Sequence, residues 1–373
     1  MTHHAYSAGR RLGSTAIVRA QGRRGGTPVR SSEVFGFNYD GSWGSSGLDL
    51  WQHHDHGRMA VEVARGKQYF PAWNTVRWWL SFDAYQRDPA RFLANFDAGL
   101  ALFAGHGIAV IPLLFNRWLD PVCDFGGVPL DHLVPHHSAW NRTDDLFTTV
   151  GGDGRELCPV EQVHSAYVSA VVGRHRDDDR IVLWDLCNEP LMGGYVDDPG
   201  SPVRAAELRW LAWCRDVCRS LGATQPLTIG NYPSAAAVAL TEPLSDVVSC
   251  HPYYTWNLNP DREPMADYAG FERYLDACVA IAAAAGKDLL ATETVWGARD
   301  DATHVTIMRY TLGELRKRGI GFTVHALHHS LVSDLHRDAY GPVGLPECLH
   351  FIEADGSLRA GHEAVNEFAP VLG

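Results

Sequence analysis

Eight short apolar runs, each followed by a helical pattern, constrain this chain more than any other feature. The runs are "EVFGFN" (33–38), "NTVRWWL" (74–80), "GIAVIPLLF" (107–115), "RIVLWDLCN" (180–188), "PLTIGN" (226–231), "DVVSCH" (246–251), "DLLATE" (288–293) and "IGFTVHAL" (320–327). Strands alternating with helices make a parallel sheet, and eight such units close a barrel. The expectation is an α/β fold, a (β/α)8 TIM barrel. Connections from helix to strand are short. Connections leaving strands are long, about 116–159, 252–268 and 328–357. Elaboration on that side fits a barrel whose strand C-termini carry the site.

The helical patterns carry their own boundaries. Asp88 is an N-cap with Pro89 at the first helical position, and Gly222, Gly286 and Gly319 mark C-terminal stops. No linker divides the chain. Residues 1–32 read as a flexible basic tail, and 33–373 as one catalytic domain.

What stands at the strand ends sets the chemistry. In "VLWDLCNEPL" (182–191) the apolar pattern breaks at Asn188 and Glu189, and Pro190 cannot donate to a ladder, so the strand stops there. Strand seven ends at Glu293. Strands four and seven face one another across a barrel mouth. A carboxylate pair in a bowl rich in Trp and Tyr suits hydrolysis of a glycosidic bond, where one carboxyl donates a proton and the other attacks. Arg77 on strand two, Asn116 and Trp118 after strand three, His251 and Tyr253 after strand six, and His325 on strand eight converge on the same bowl.

Composition narrows the class. The 373 residues carry a formal net charge of −12, which disfavours nucleic acid and anionic membrane as partners. No stretch of eighteen apolar residues occurs, and the N-terminal segment has no apolar h-region, so a cytoplasmic protein is expected. The eight cysteines lack a CxxC pair, and most read as buried thiols. "WQHHDHG" (51–57) has histidines enough for a metal, but adjacent ligands face one ion poorly. It reads as a polar loop over the cleft, and neither metal nor cofactor is expected. Among the tryptophans, Trp78, Trp184 and Trp213 read as core. Trp43, Trp118, Trp140, Trp256 and Trp296 fall after strands, where they could stack on sugars.

"WDLCNEP", "HPYY" and "ATETVWG", with Arg77 in "NTVRWW", resemble clan A glycoside hydrolases, particularly family 5. The resemblance covers roughly residues 33 to 370. It implies a retaining double displacement with Glu189 as general acid/base and Glu293 as nucleophile. It further implies that Asn188 holds the sugar 2-hydroxyl, that Arg77 and Tyr253 orient Glu293, and that His251 supports the sugar or the acid/base. Two departures touch sugar recognition. Strand eight reads "GFTVHALHHS" where the family carries a Trp, so Trp296 or a loop Trp is expected to substitute. Strand three reads "LLFNRW" where many members carry a His. The expected substrate is a β-linked manno- or gluco-oligosaccharide, cleaved by exo action. The alternatives are an endo-β-1,4-mannanase or endoglucanase, a transglycosylating or carbohydrate-binding barrel, and a metal-dependent or aldolase-type barrel. The first strand, ending "GFNYDG", lacks the ligands or lysine that the last of these needs.

Overall fold

The structure, a computed structural model, describes residues 30–44, 47–116, 159–191, 194–256, 265–330 and 348–370. Trp118, Trp140, Cys123 and Cys158 lie outside the described residues, as do most of the long connections after strands three and eight. The strands are β1 (Phe35–Tyr39), β2 (Thr75–Trp79), β3 (Ala109–Asn116), β4 (Trp184–Asn188), β5 (Leu227–Gly230), β6 (Val248–Cys250), β7 (Leu289–Ala291) and β8 (Gly321–Val324). They fall inside, or within one residue of, the eight runs read from the sequence. The described helices are α1 (Gly47–Gln52), α2 (His56–Tyr69), α3 (Phe82–Arg87), α4 (Pro89–Gly105), α5 (Pro159–Val171), α6 (Pro202–Ser220), α7 (Ala235–Thr241), α8 (Tyr268–Ala285) and α9 (Asp301–Lys317). None is long and apolar enough to cross a membrane.

All the ladders are parallel, in the order β5-β4-β3-β2-β1-β8-β7-β6. The seam between β5 and β6 is held outside the regular ladders. Asp246 N–H donates to Leu227 O at 2.8 Å, Thr228 Oγ1 to Val247 O at 2.7 Å, and Asn231 Nδ2 to Ser249 O at 2.9 Å. The eight strands thus form a (β/α)8 barrel.

Short polar residues start the helices by accepting orphan amide protons. Asp88 accepts from Arg91 N at the head of α4, Ser201 from Arg204 N at α6, and Asp267 from Gly270 N at α8. The polar-loop reading of "WQHHDHG" needs correction. Trp51 and Gln52 end α1, and Asp55 caps α2 by accepting from Arg58 N. His54 lies between Trp43 and Trp51, and burial pushes its imidazole down to about 4. The polar connection is thus three residues long, with His53 and Asp55 exposed and flanked by helix on both sides, where the sequence suggested a longer polar loop over the cleft.

Three apolar clusters occur among the described residues, the smallest made of Leu191, Val196 and Ala237. The large one lies between sheet and helices and includes Phe37, Trp73, Trp184, Trp210 and Phe322. A separate small one gathers Val34, Ile111, Val182, Leu183, Val247 and Leu290 from the strands and their approaches. Towards the strand C-termini the buried side chains turn polar, with Thr228, Ser249, Thr292 and Thr323 fully enclosed below the site. Ser31, assigned to the tail from sequence, is buried and donates to Asp288 at 2.7 Å.

The β1–β2 spacing depends on a missing side chain. A Cβ on Gly36 would sit 2.1 Å from the Thr75 backbone oxygen and 2.8 Å from Thr323 Cγ2. Backbone cannot move aside without parting two strands. Gly36→Ala is expected to cost about 1–3 kcal/mol or more. A lower urea midpoint with an unchanged slope would show this, and an unchanged midpoint would refute it.

Candidate active site

The site begins with a charged residue inside an apolar strand. Asp185 of β4 is fully enclosed and accepts from Arg77 Nε at 2.9 Å and from Gly230 N at 2.9 Å. Strict alternation would place residues 185 and 188 on opposite faces of a strand. The β4–β5 register shifts between them, a local irregularity of the kind that re-aims side chains. Both therefore reach the same guanidinium, for Arg77 NH2 donates to Asn188 Oδ1 at 2.9 Å. Asn188 in turn donates to Asn116 Oδ1 at 2.9 Å. One further Asn188 N–H remains available.

Arg77 is the hub of four strands. Beyond Asp185 and Asn188 it donates to Asn38 Oδ1 at 3.0 Å and to Glu293 Oε2 at 2.8 Å. Its guanidinium also lies 4.9 Å from the centre of the Trp79 ring. Gly230 makes room for this hub, since a Cβ there would fall 2.6 Å from Arg77 NH2 and 2.9 Å from Asp185 Oδ2.

The two glutamates sit just past the ends of β4 and β7, each at a strained turn. Glu189 has φ 46°, and Val295, two residues after Glu293, has φ 71°. Such angles are uncommon for residues with a Cβ and collect at functional sites. The Glu189 N–H donates to Gly230 O at 2.6 Å, and Pro190 offers no donor to extend the ladder.

Their surroundings differ. Glu293 is bonded by Arg77, by the Tyr253 hydroxyl, and by His325 Nδ1 at 3.0 Å. Burial alone would raise its carboxyl. The positive charge of His251, His325 and Arg77 outweighs burial and holds the group well below the usual carboxylate range. Burial would lower His325, but the Glu293 carboxylate raises it above the ordinary histidine value. Glu189 is bonded by His251 Nδ1 at 2.9 Å. His251 Nε2 lies 3.1 Å from Thr292 Oγ1. One carboxyl is therefore held ionised by several donors, and the other meets a single imidazole.

One ligand atom from each of Glu189, His251 and Glu293 falls within a common 4.8 Å. This bounds the closest approach of the two carboxylates. It also makes these three the residues that could hold a metal ion among the described residues. The donor set suits one poorly, because both Glu293 oxygens are already taken by Arg77, Tyr253 and His325.

The structure brings Arg77, Asn116, Asn188, Glu189, His251, Tyr253, Glu293 and His325 together. Trp118 lies outside the described residues. Trp296 is only 2% exposed and meets Tyr253 edge to face at 5.5 Å. It backs the tyrosine and offers no open face to a sugar. The position after β8 holds His325, whose ring lies 6.2 Å from that of Trp79. His328 is turned aside to Arg65 at 3.1 Å. Sequence reasoning missed Asn38, Asp185, Gly230 and Thr292. Asp185 carried a signal, as a charge inside an otherwise apolar run.

No family model matches the chain. Among curated proteins it is 27% identical to the probable mannan endo-1,4-β-mannosidase F of Aspergillus flavus over 168 residues, which is 44% of this chain and 27% of that one. It is 25% identical to the mannan endo-1,4-β-mannosidase F of Aspergillus clavatus over 234 residues, 57% of this chain and 46% of that one. The chain thus spans about a quarter to a half of the length of these relatives. Among solved structures it matches an exo-β-1,4-mannosidase from an Opitutaceae bacterium with TM-score 0.65, 17% identity, 92% of this chain and 60% of that one. It matches the endo-1,4-β-mannanase of Rhizomucor miehei with TM-score 0.61, 17% identity, 93% of this chain and 96% of that one. The chain therefore shares the (β/α)8 fold of these solved enzymes and is similar over part of its length to mannan endo-1,4-β-mannosidases. At the end of β8, where the resemblance read from the sequence calls for a tryptophan, a histidine stands and bonds one of the two glutamates, so that departure falls directly on the site.

Proposed function

We propose that this chain hydrolyses β-linked, manno-configured oligosaccharides with retention of anomeric configuration, Glu189 acting as acid/base and Glu293 as nucleophile. The observation that carries the reading is the unequal pair, two carboxylates with oxygens within 4.8 Å in unlike surroundings. Retaining enzymes hold their carboxyl groups about 5–5.5 Å apart, and inverting ones about 6.5–9.5 Å to admit a water. The names of the curated relatives support mannose over glucose.

The first step forms a bond from a Glu293 oxygen to the anomeric carbon as the glycosidic C–O bond breaks. The leaving oxygen takes its proton from the Glu189 carboxylic acid. In the second step the Glu189 carboxylate removes a proton from water, which attacks the anomeric carbon and frees Glu293. Two inversions give net retention. Arg77 and Tyr253 bind the carboxylate form of Glu293 before and after each cycle. Exo action on short substrates is the reading carried from the sequence. The endo-acting names of the curated relatives support endo cleavage of a β-1,4-mannan as the second reading.

Proton NMR of the first product from an aryl β-mannoside tests the mechanism. The β anomer should appear first and then mutarotate. An initial α anomer would overturn it. A panel of p-nitrophenyl β-glycosides and β-linked disaccharides tests the sugar, and faster cleavage of glucosides than mannosides would refute the manno assignment.

A further inference from the structure

Asp40 follows β1 at the rim that carries the site. The residue is 4% exposed, yet among the described residues its side chain takes no hydrogen bond and no ion pair. Buried carboxyls are normally satisfied, so a bare one calls for an explanation. Its oxygens are not among the sealed, partnerless atoms of the interior, so the carboxyl edge meets open space. That space belongs to the site, because Asp40 lies within electrostatic reach of His325, Glu293 and Arg77.

The strand order says which part of a substrate would occupy it. In a ring of eight strands, β8 and β1 stand across the mouth from β4 and β5. Glu189 follows β4, and an acid that protonates the leaving oxygen must stand beside the aglycone. The glycone ring then extends towards the opposite rim, where Asp40 and His325 stand.

We propose that Asp40 is a specificity-determining residue that accepts a hydroxyl hydrogen from the C4 or C6 hydroxyl of the glycone, remote from the anomeric centre. This rests on the glycosidase reading given above. A carboxyl accepts from O–H groups whether ionised or neutral. Burial raises this one to about 7 although His325 opposes the rise, which fits a group awaiting a donor that the protein itself does not supply. Its neighbours contribute no such donor, because Ser42 and Tyr39 both give theirs to Glu62.

The test is a cycle of enzyme and substrate changes, using p-nitrophenyl β-mannoside and its 4-deoxy and 6-deoxy analogues with wild type, Asp40→Ala and Asp40→Asn. Asp40→Ala should lower kcat/KM on the full sugar by on the order of 10- to 100-fold. On the analogue lacking the hydroxyl that Asp40 holds, wild type should lose a similar factor, and Asp40→Ala should lose nothing further. A merely structural role would not erase sensitivity to one hydroxyl. Asp40→Asn keeps the volume and carries the cycle should the alanine variant misfold. If both losses multiply on both analogues, the Asp40 assignment is wrong while the hydrolase reading stands. A wild type inert on every β-glycoside would overturn the hydrolase reading, and this inference with it.

Discussion

Glu293→Ala should abolish turnover on every β-glycoside, with kcat falling by on the order of 10⁵-fold or more, as when one member of a catalytic unit is removed. Without the Glu293 oxygens no glycosyl ester forms. Arg77 keeps its bonds to Asp185, Asn188 and Asn38, so the guanidinium is not stranded and the barrel should remain folded. The alanine leaves a small space beside a guanidinium, a tyrosine hydroxyl and an imidazole, all of them donors. Azide should enter it and attack the anomeric carbon once, from the face Glu293 would have used. The product is the α-glycosyl azide, detectable by NMR. Full activity on disaccharides would sink the assignment, and so would rescue that gives a β-azide.

Glu189→Ala should produce a loss that depends on the leaving group. General acid catalysis is worth about 10²–10⁴-fold when the departing oxygen is basic, and little when it leaves readily as an anion. A dinitrophenyl glycoside should therefore form the glycosyl-enzyme at a near-normal rate, then stall, because the same residue activates the water. A burst of phenolate followed by slow turnover is expected. A natural disaccharide should be almost inert. Azide should relieve the stall by attacking the intermediate from the opposite face, giving a β-glycosyl azide. Products of the same anomeric form from both variants would show that the roles are wrongly divided. His251 would lose Glu189 while keeping Thr292 and Glu293, which lies 3.9 Å from Nδ1, so its ring orientation should persist.

Much of this was legible in the chain because the barrel repeats one local rule eight times. Each strand announced itself by an apolar run, and each lies inside its run or within one residue of it. Glu189 and Glu293 were legible because a carboxylate at a strand end interrupts that pattern. Arg77 was legible for the same reason, as a charge among Val76, Trp78 and Trp79. The tryptophans misled, since an apolar ring in a loop reads alike whether it faces solvent or, like Trp296, lies buried behind a tyrosine.

The sequence by itself determined the order of units, the closure of eight strands and the placing of two glutamates just past strands four and seven, because these follow from residue period and from which residues stand at strand ends. The tertiary structure alone decided which partners each carboxylate meets. Asp185 and Asn188 face one guanidinium only because the register slips between them. Gly230, on a different strand, leaves the volume that this guanidinium fills. His325 reaches Glu293, and Asp40 stands bare beside them, because strands distant in sequence are adjacent in the ring. Side-chain charge is a property of sequence, but the sign and size of its effect depend on distances of a few ångströms between segments hundreds of residues apart, and only packing sets those distances.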